Sequence, residues 1–356
     1  MTASERENPY GVRVPGSDRT MPGFVSPPLD DHPLVPWDDA SHVGQWVDVD
    51  HARDQLDLFE ECLRRLAHMV SPQVDRGHLV VVTGPVGMGK TTLIHRCIHR
   101  AQQVIENAAA RAEPPARALR HVVAMTAGYV NDGRGICVDD NGDFASTAAI
   151  NETIRDKIVA ALRTGLPTAD GVDPVLHGAS TSKAFAAISA LLAEENALLL
   201  AVVPHIEWKD PGVRSKFLMT CLSHAQSRIL LFVEVSHGAS ETAGEVVREL
   251  AADRAFTHLA LGPLQPDDAV TFGRSARSDH PDPDDPADDL TLREAVLRAR
   301  AARWQPGDVR ELRQIFHAAA EAHTRAGRPV RITGEDLAEQ VRAHSRRTRS
   351  DLGRAP

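Results

Sequence analysis

Long apolar runs are scarce in this sequence. None approaches the roughly 20 residues that a membrane-spanning helix needs. The longest, Ala197–Pro204, has the length of a buried strand. The first residues hold no basic stretch followed by an apolar one, so no secretory leader is expected there. Cysteine is sparse. Cys62, Cys97, Cys137 and Cys221 are widely separated and form no C-x-x-C pair. That argues against a disulfide framework or a metal site and for reduced thiols in a cytoplasmic protein. Positive charge is also short: 40 Lys and Arg stand against 49 Asp and Glu, for a formal net charge of −9. This balance does not suggest a general nucleic-acid binder. Aromatics make up only 4% of the chain while Ala, Leu, Val and Arg abound, as in a helix-rich α/β protein.

What is present is concentrated in residues 78–92. An apolar, β-branched run, Leu79-Val80-Val81-Val82-Thr83, enters a glycine-rich loop, and an amphipathic segment leaves it. Gly84, Pro85, Val86, Gly87, Met88, Gly89, Lys90 and Thr91 fit G-x-x-x-x-G-K-S/T, the phosphate-binding P-loop, with Thr92 directly after. The three glycines let the backbone turn tightly enough for its N–H groups to converge on phosphate oxygens. The following helix adds the positive end of its dipole. Lys90 is expected to reach the β- and γ-phosphates, and the Thr91 hydroxyl to hold Mg²⁺.

Around this loop the chain alternates strand and helix. Residues 1–45 are rich in Pro, Gly, Asp and Ser and are expected to form a flexible or extended arm, with Trp37, Trp46 and Val47 as candidates to pin part of it to the domain. Helical spacing predicts a helix from Asp50 to about Val70, then the strand Leu79–Thr83 and a helix from Lys90 to about Ala110. His95, His99 and Arg100 on that helix read as a solvated polar face, since two histidines alone make a poor metal site. His121–Thr126 is a second strand. Asp139, Asn141 and Asp143 have the spacing of a calcium loop, but Phe144 and Ile150 stand where that loop needs Gly and Glu. Asn141-Gly142 instead suggests a hairpin turn. Helices over Ile150–Thr164, Ser182–Glu195, Gly212–Ser227 and Glu241–Ala252 alternate with strands Leu198–Val203, Arg228–Ser236 and Thr257–Leu261. This order predicts a P-loop three-layer α/β fold, a parallel sheet covered on both faces with ligands at the strands' carboxyl ends. Beyond Gly262-Pro263 only helices are predicted. They lie near Pro266–Ser275, Leu290–Trp304, Gly307–Ala326 and Gly334–His344, and Thr333 with Asp336 resembles a capping box for the last. The division expected is an arm over 1–45, a P-loop domain over 46–262, a helical lid over 263–345 and an Arg-rich tail over 346–356.

With these features the chain, over roughly residues 45–345, resembles the AAA+ and STAND-type ATPases. The resemblance rests on the P-loop, the later strands and the helical segment after the sheet. Leu261-Gly262-Pro263-Leu264-Gln265-Pro266 is similar to a lid entry, and Gly307-Asp308-Val309-Arg310-Glu311-Leu312 to the segment carrying the sensor-2 arginine. The resemblance implies that Arg310 leans over the γ-phosphate and that Ser236 is the sensor-1 residue positioning water. It also implies that Arg254 reaches a neighbouring subunit's nucleotide as a finger, with Arg214 and Arg228 as weaker candidates. One departure matters. These families place carboxylates directly after the third strand's apolar run, where this chain has Pro204 and His205. Neither suits magnesium. Glu207 is the nearest acid and the candidate replacement base.

Removing a general base costs about two to four orders of magnitude in rate, so ATP binding with slow or conditional hydrolysis is expected. The leading reading is a nucleotide-controlled switch or assembly ATPase, with ATP and Mg²⁺ as ligands and a protein partner or homo-oligomer implied. A non-hydrolysing ATP-binding scaffold is the first alternative. A DNA-associated ATPase akin to origin initiators or transposition regulators is the second, weakened by the acidity. A GTPase is disfavoured because no N-K-x-D is present, and a small-molecule kinase because such folds do not usually carry this lid.

Overall fold

The computed structural model describes residues 8, 10, 34–38, 40–46, 52–66, 76–110, 119–125, 147–166, 180–203, 206, 208, 210–237, 241–265, 267–275, 293–297, 308–326 and 332–352. Five apolar segments form strands: β1 (His78–Gly84), β2 (Arg120–Met125), β3 (Ala197–Val203), β4 (Ile229–Ser236) and β5 (Phe256–Ala260). They make one sheet in the order β2-β3-β4-β1-β5, and every pair is parallel. The three inner strands are buried almost throughout, whereas the edge strands β2 and β5 alternate. This is the pattern of a sheet sandwiched between helices.

Those helices are α1 (Ala52–Leu66), α2 (Lys90–Ala110), α3 (Thr147–Gly165), α4 (Thr181–Glu194), α5 (Pro211–His224) and α6 (Ala243–Val246). Side chains alternate between the sheet's faces. Leu231, Val233 and Val235 of β4 join Ile154, Ile158, Phe185 and Phe217 in the main core. The opposite face carries Phe232, packed on Phe59 of α1 with ring centroids 5.9 Å apart, and Glu234. At the start of α5 the Asp210 carboxylate accepts the Gly212 N–H at 2.8 Å, with Pro211 in the first helical turn.

The chain divides into two compact units. One comprises Asp54–Val86 and Lys90–Leu261; the other comprises Met1–Arg53, Gly87–Gly89 and Gly262–Pro356. In the second, α7 (Asp268–Ser275), α8 (Val309–Arg325) and α9 (Gly334–Leu352) surround Phe272, Leu312, Phe316, Ile332 and Leu337. Tyr10 is fully buried in this same core. Its hydroxyl donates to Gly273 O at 3.0 Å, and its ring lies 5.1 Å from Phe316. Asn8 Nδ2 donates to His317 O at 2.9 Å. Arg313 sits over the Phe272 ring at 5.1 Å and donates to Tyr10 O at 3.4 Å. Leu34 and Val35 are also buried, and the Val35 N–H donates to His42 Nδ1 at 2.9 Å. Of the segment read as an arm, Asn8, Tyr10, Leu34, Val35 and His42 are buried, while Asp38, Ala40 and Val43 are exposed.

Other departures have local causes. The helix predicted over Glu241–Ala252 forms only as α6, capped by Thr242 and Glu245. Beyond it the N–H groups of Arg248, Leu250 and Asp253 bond three residues back. These tighter turns still bury Val246, Val247 and Leu250, so the apolar spacing imitates a longer helix. His95 is fully buried rather than solvated, His99 Nε2 bonds Gln103, and Arg100 pairs with Glu60 at 2.6 Å. The last helix runs on to Leu352, and the Thr333–Asp336 box forms as expected. Cys62, Cys97 and Cys221 are buried and form no disulfide among the described residues, while Cys137 and the Asn141-Gly142 turn lie outside the described residues.

Two stability predictions follow from this packing. Tyr10→Ala empties a buried aromatic site and should cost about 3–5 kcal/mol. Tyr10→Phe loses only the hydroxyl's bond and should cost about 1 kcal/mol; thermal unfolding of both variants checks the ranking. His224 stacks on Phe185 at 4.3 Å, its Nε2 has no hydrogen-bond partner, and burial lowers its pKa from 6.5 to about 4. The fold therefore favours neutral imidazole, while the unfolded chain takes up a proton near its ordinary pKa. This contribution, about 3 kcal/mol, is complete above the ordinary pKa and lost as pH falls toward the folded one. Melting temperature against pH should fall through that window, and His224→Phe should flatten the fall.

Candidate functional site

The loop after β1 is shaped by close backbone approach. The Leu261 N–H donates to Thr83 O at 2.8 Å, and a Cβ on Gly84 would come within 2.8 Å of Leu261 O. Gly87 and Gly89 hold φ of +82° and +83°, the left-handed region where a side chain is strained. A Cβ on Gly87 would also strike the Asp308 carboxylate at 2.3 Å. Met88 is buried, Val86 is exposed, and Pro85 and Thr92 are half-buried.

Lys90 opens α2 and is only 3% exposed. Its Nζ donates to Pro85 O at 2.8 Å and lies 3.7 Å from Glu234 Oε1. The Thr91 hydroxyl donates to Glu234 Oε2 at 2.6 Å. Glu234, 8% exposed, comes from β4, where it is in register with Val82 of β1. A lysine, a hydroxyl and a carboxylate thus meet under the first turn of α2. Beside them, His258 Nε2 bonds Thr83 Oγ1 at 2.8 Å. Burial, and then the neighbouring His237, lower the His258 pKa to about 4, so the ring is neutral near pH 7.

The residues expected to assist do not all gather here. Ser236 ends β4 in register with Gly84 and is half-buried. Glu207, with Pro204 and His205, lies outside the described residues. Arg254 is exposed just before β5, at the amino-terminal edge of the parallel sheet, whereas the P-loop is at its carboxyl-terminal edge. Arg310 is exposed at the start of α8, and its backbone N–H donates to Gly87 O at 3.4 Å. Asp308 Oδ1 caps that helix by accepting the Glu311 N–H at 2.7 Å. Arg214 and Arg228 are not surface arginines. Arg214 is buried in a forked pair with Glu241. Arg228, with φ +63°, donates to Asn196 Oδ1 and Ala197 O at 3.3 Å each. Both are committed to packing within their own unit.

Glu234 is the residue that sequence reasoning missed. Its one signal was an acid inside the otherwise apolar run Ile229–Ser236. A carboxylate buried in such a strand needs a charged or hydrogen-bonding partner.

The donor chemistry fits a magnesium ion. A hydroxyl oxygen and a carboxylate are hard oxygen ligands, adjacent to the place where phosphates would meet the loop. Thr91 is the residue that would hold such an ion, together with phosphate oxygens and water, with the Glu234 carboxylate beside it.

No protein-family model matches the chain, and no curated protein matches it. Among solved structures it is similar to the ORC2 protein of Aeropyrum pernix in its ADP form, at 17% identity and a TM-score of 0.47, covering 81% of this chain and 67% of that one. It is similar to Cdc6p of Pyrobaculum aerophilum at 16% identity and a TM-score of 0.45, covering 82% and 67%. It is also similar to the RuvB Holliday junction branch migration motor of Thermotoga maritima at 14% and 0.37, covering 84% and 70%. The strand order, the parallel register and the glycine loop between β1 and α2 give this chain the P-loop α/β fold.

Proposed function

We propose that the chain is an ATP-binding, AAA+-like switch or assembly ATPase that hydrolyses ATP slowly or conditionally. The observation that carries this reading is the loop itself. Gly87 and Gly89 take left-handed backbone, and α2 begins at once with a buried lysine. Successive N–H groups and a helix N-terminus then form an anion site, with Lys90 supplying the positive charge.

In this reading residues 84–92 bind the triphosphate. Lys90 neutralises the β- and γ-phosphates and Thr91 ligates Mg²⁺. The ion supplies charge neutralisation across the phosphate oxygens. Ser236, at the end of β4, orients water. Arg310 senses the γ-phosphate and closes the helical lid over the nucleotide. Arg254 starts from the opposite edge of the sheet to the P-loop, so it acts on the nucleotide of a neighbouring subunit. That role calls for a homo-oligomer, and the closed state presents a surface to a protein partner.

Slow turnover is expected because the β3 run leads into Pro204 and His205. Glu207 is the nearest acid beyond them and the candidate base. The same two residues favour a second reading, a scaffold that keeps ATP as a structural ligand.

Titration calorimetry and phosphate release on the full chain, wild type beside Lys90→Ala, test both readings. Wild type should bind Mg-ATP, and Lys90→Ala should weaken binding by about a hundredfold, as expected when a charged partner worth about 3 kcal/mol is removed. Turnover that Lys90→Ala abolishes supports the ATPase. Tight binding with turnover at the Lys90→Ala background supports the scaffold. Failure of wild type to bind ATP overturns both.

A further inference from the structure

The geometry points to Glu234 as the carboxylate that positions the magnesium shell at this P-loop, a task moved from the end of β3 to β4; this rests on the ATP-binding reading above. β3 lies one strand further from β1, and the chain after its apolar run offers Pro204 and His205. β4 pairs directly with β1, and Glu234 stands opposite Val82, two residues before the loop begins. Side-chain alternation puts Glu234 on the face that carries Phe232 and Phe59, away from the main core. From there its carboxylate reaches the first turn of α2.

The direction of the hydrogen bond is what makes the assignment specific. The Thr91 hydroxyl has one proton, and it is donated to Glu234 Oε2 at 2.6 Å. That leaves the lone pairs of Thr91 Oγ1 turned away from the carboxylate and available to a cation. A carboxylate that orients a metal-ligating hydroxyl, and accepts hydrogen bonds from the ion's water, acts as outer-shell support of the kind that tunes metal affinity. Glu234 Oε1 also lies 3.7 Å from Lys90 Nζ. The same side chain therefore fixes both cationic elements of the site, the ammonium group and the metal-bearing hydroxyl. Nothing else in β4 explains a charged residue in the run Ile-Leu-Leu-Phe-Val-Glu-Val-Ser.

A competing role is conceivable from the same contacts. Glu234 could occupy the place of a phosphate and hold the loop shut. The two roles differ in how nucleotide affinity responds to magnesium. A magnesium anchor makes binding tighter with the ion than without it. A plug weakens binding equally in both conditions.

The test is the affinity of the full chain for a fluorescent N-methylanthraniloyl-ATP, measured in Mg²⁺ and again in EDTA, for wild type and Glu234→Gln. The amide keeps an oxygen to accept the Thr91 hydroxyl but removes the charge. Wild type should bind more tightly in Mg²⁺ than in EDTA. Whatever its affinity in EDTA, Glu234→Gln should show a gain from Mg²⁺ about 10- to 100-fold smaller than that of wild type. Glu234→Asp, which keeps the charge and shortens the reach, is a second variant whose gain should lie between the two. A full magnesium gain in Glu234→Gln overturns the assignment. So does a large rise in affinity in EDTA with the gain unchanged, which identifies a plug. Wild type that binds the probe in neither condition overturns the ATP-binding reading, and this inference with it; wild type that binds equally in both overturns this inference alone.

Discussion

A lysine ammonium that is 3% exposed needs an anion within reach, and among the described residues Glu234 supplies one at 3.7 Å. Either charge buried alone would be costly, and breaking such a pair by removing one partner typically costs about 3–5 kcal/mol. The pair therefore constrains its surroundings. It ties the first turn of α2 to β4, and β4 is the strand beside β1. The loop between β1 and α2 is thus held at both ends, by the sheet ladder at Gly84 and by Glu234 below Lys90 and Thr91. Left-handed backbone at Gly87 and Gly89 spans the gap. In the proposed reading a triphosphate entering this loop would meet donors already in place, which is how a P-loop gains affinity without large rearrangement.

The same constraint separates binding from chemistry. In the proposed reading Lys90, Thr91 and the backbone N–H groups would serve the phosphates whether or not a base is present. Hydrolysis requires an acid or polar group aimed at water, and the usual supplier, the end of β3, runs into proline and histidine. In the proposed assignment a carboxylate on β4 would restore metal positioning while leaving the base to be supplied from elsewhere. This division of labour suits a protein whose nucleotide state matters more than its turnover. His258, kept neutral by burial beside Thr83, adds no charge to the site near pH 7.

How much of this could be read from the sequence depended on how local each constraint was. The P-loop was legible because its glycines, lysine and threonine sit within a few residues and each has a mechanical reason. β1, β3 and β4 were legible because strands buried on both faces read as apolar runs. Glu234 was not read as functional, because its partner Thr91 lies 143 residues away and an isolated acid does not disturb an apolar pattern. Tyr10 was hidden for the same reason: its partner Gly273 is 263 residues distant, and the Pro/Gly-rich context suggested an arm. The helix expected over Glu241–Ala252 failed because three-residue turns can bury the same apolar positions. Arg214 and Arg228 read as weaker finger candidates because their partners are distant in sequence, whereas a forked pair with Glu241 and a left-handed strand entry bury them here.

The most direct measurement is a crystal structure of the full chain with Mg²⁺ and a non-hydrolysable ATP analogue. The expected result has the triphosphate in the 84–92 loop, Thr91 Oγ1 about 2.1 Å from the ion, and the Glu234 carboxylate bonded to the ion's shell. An ion held by an acid beyond β3, with Glu234 contacting Lys90 alone, would contradict it.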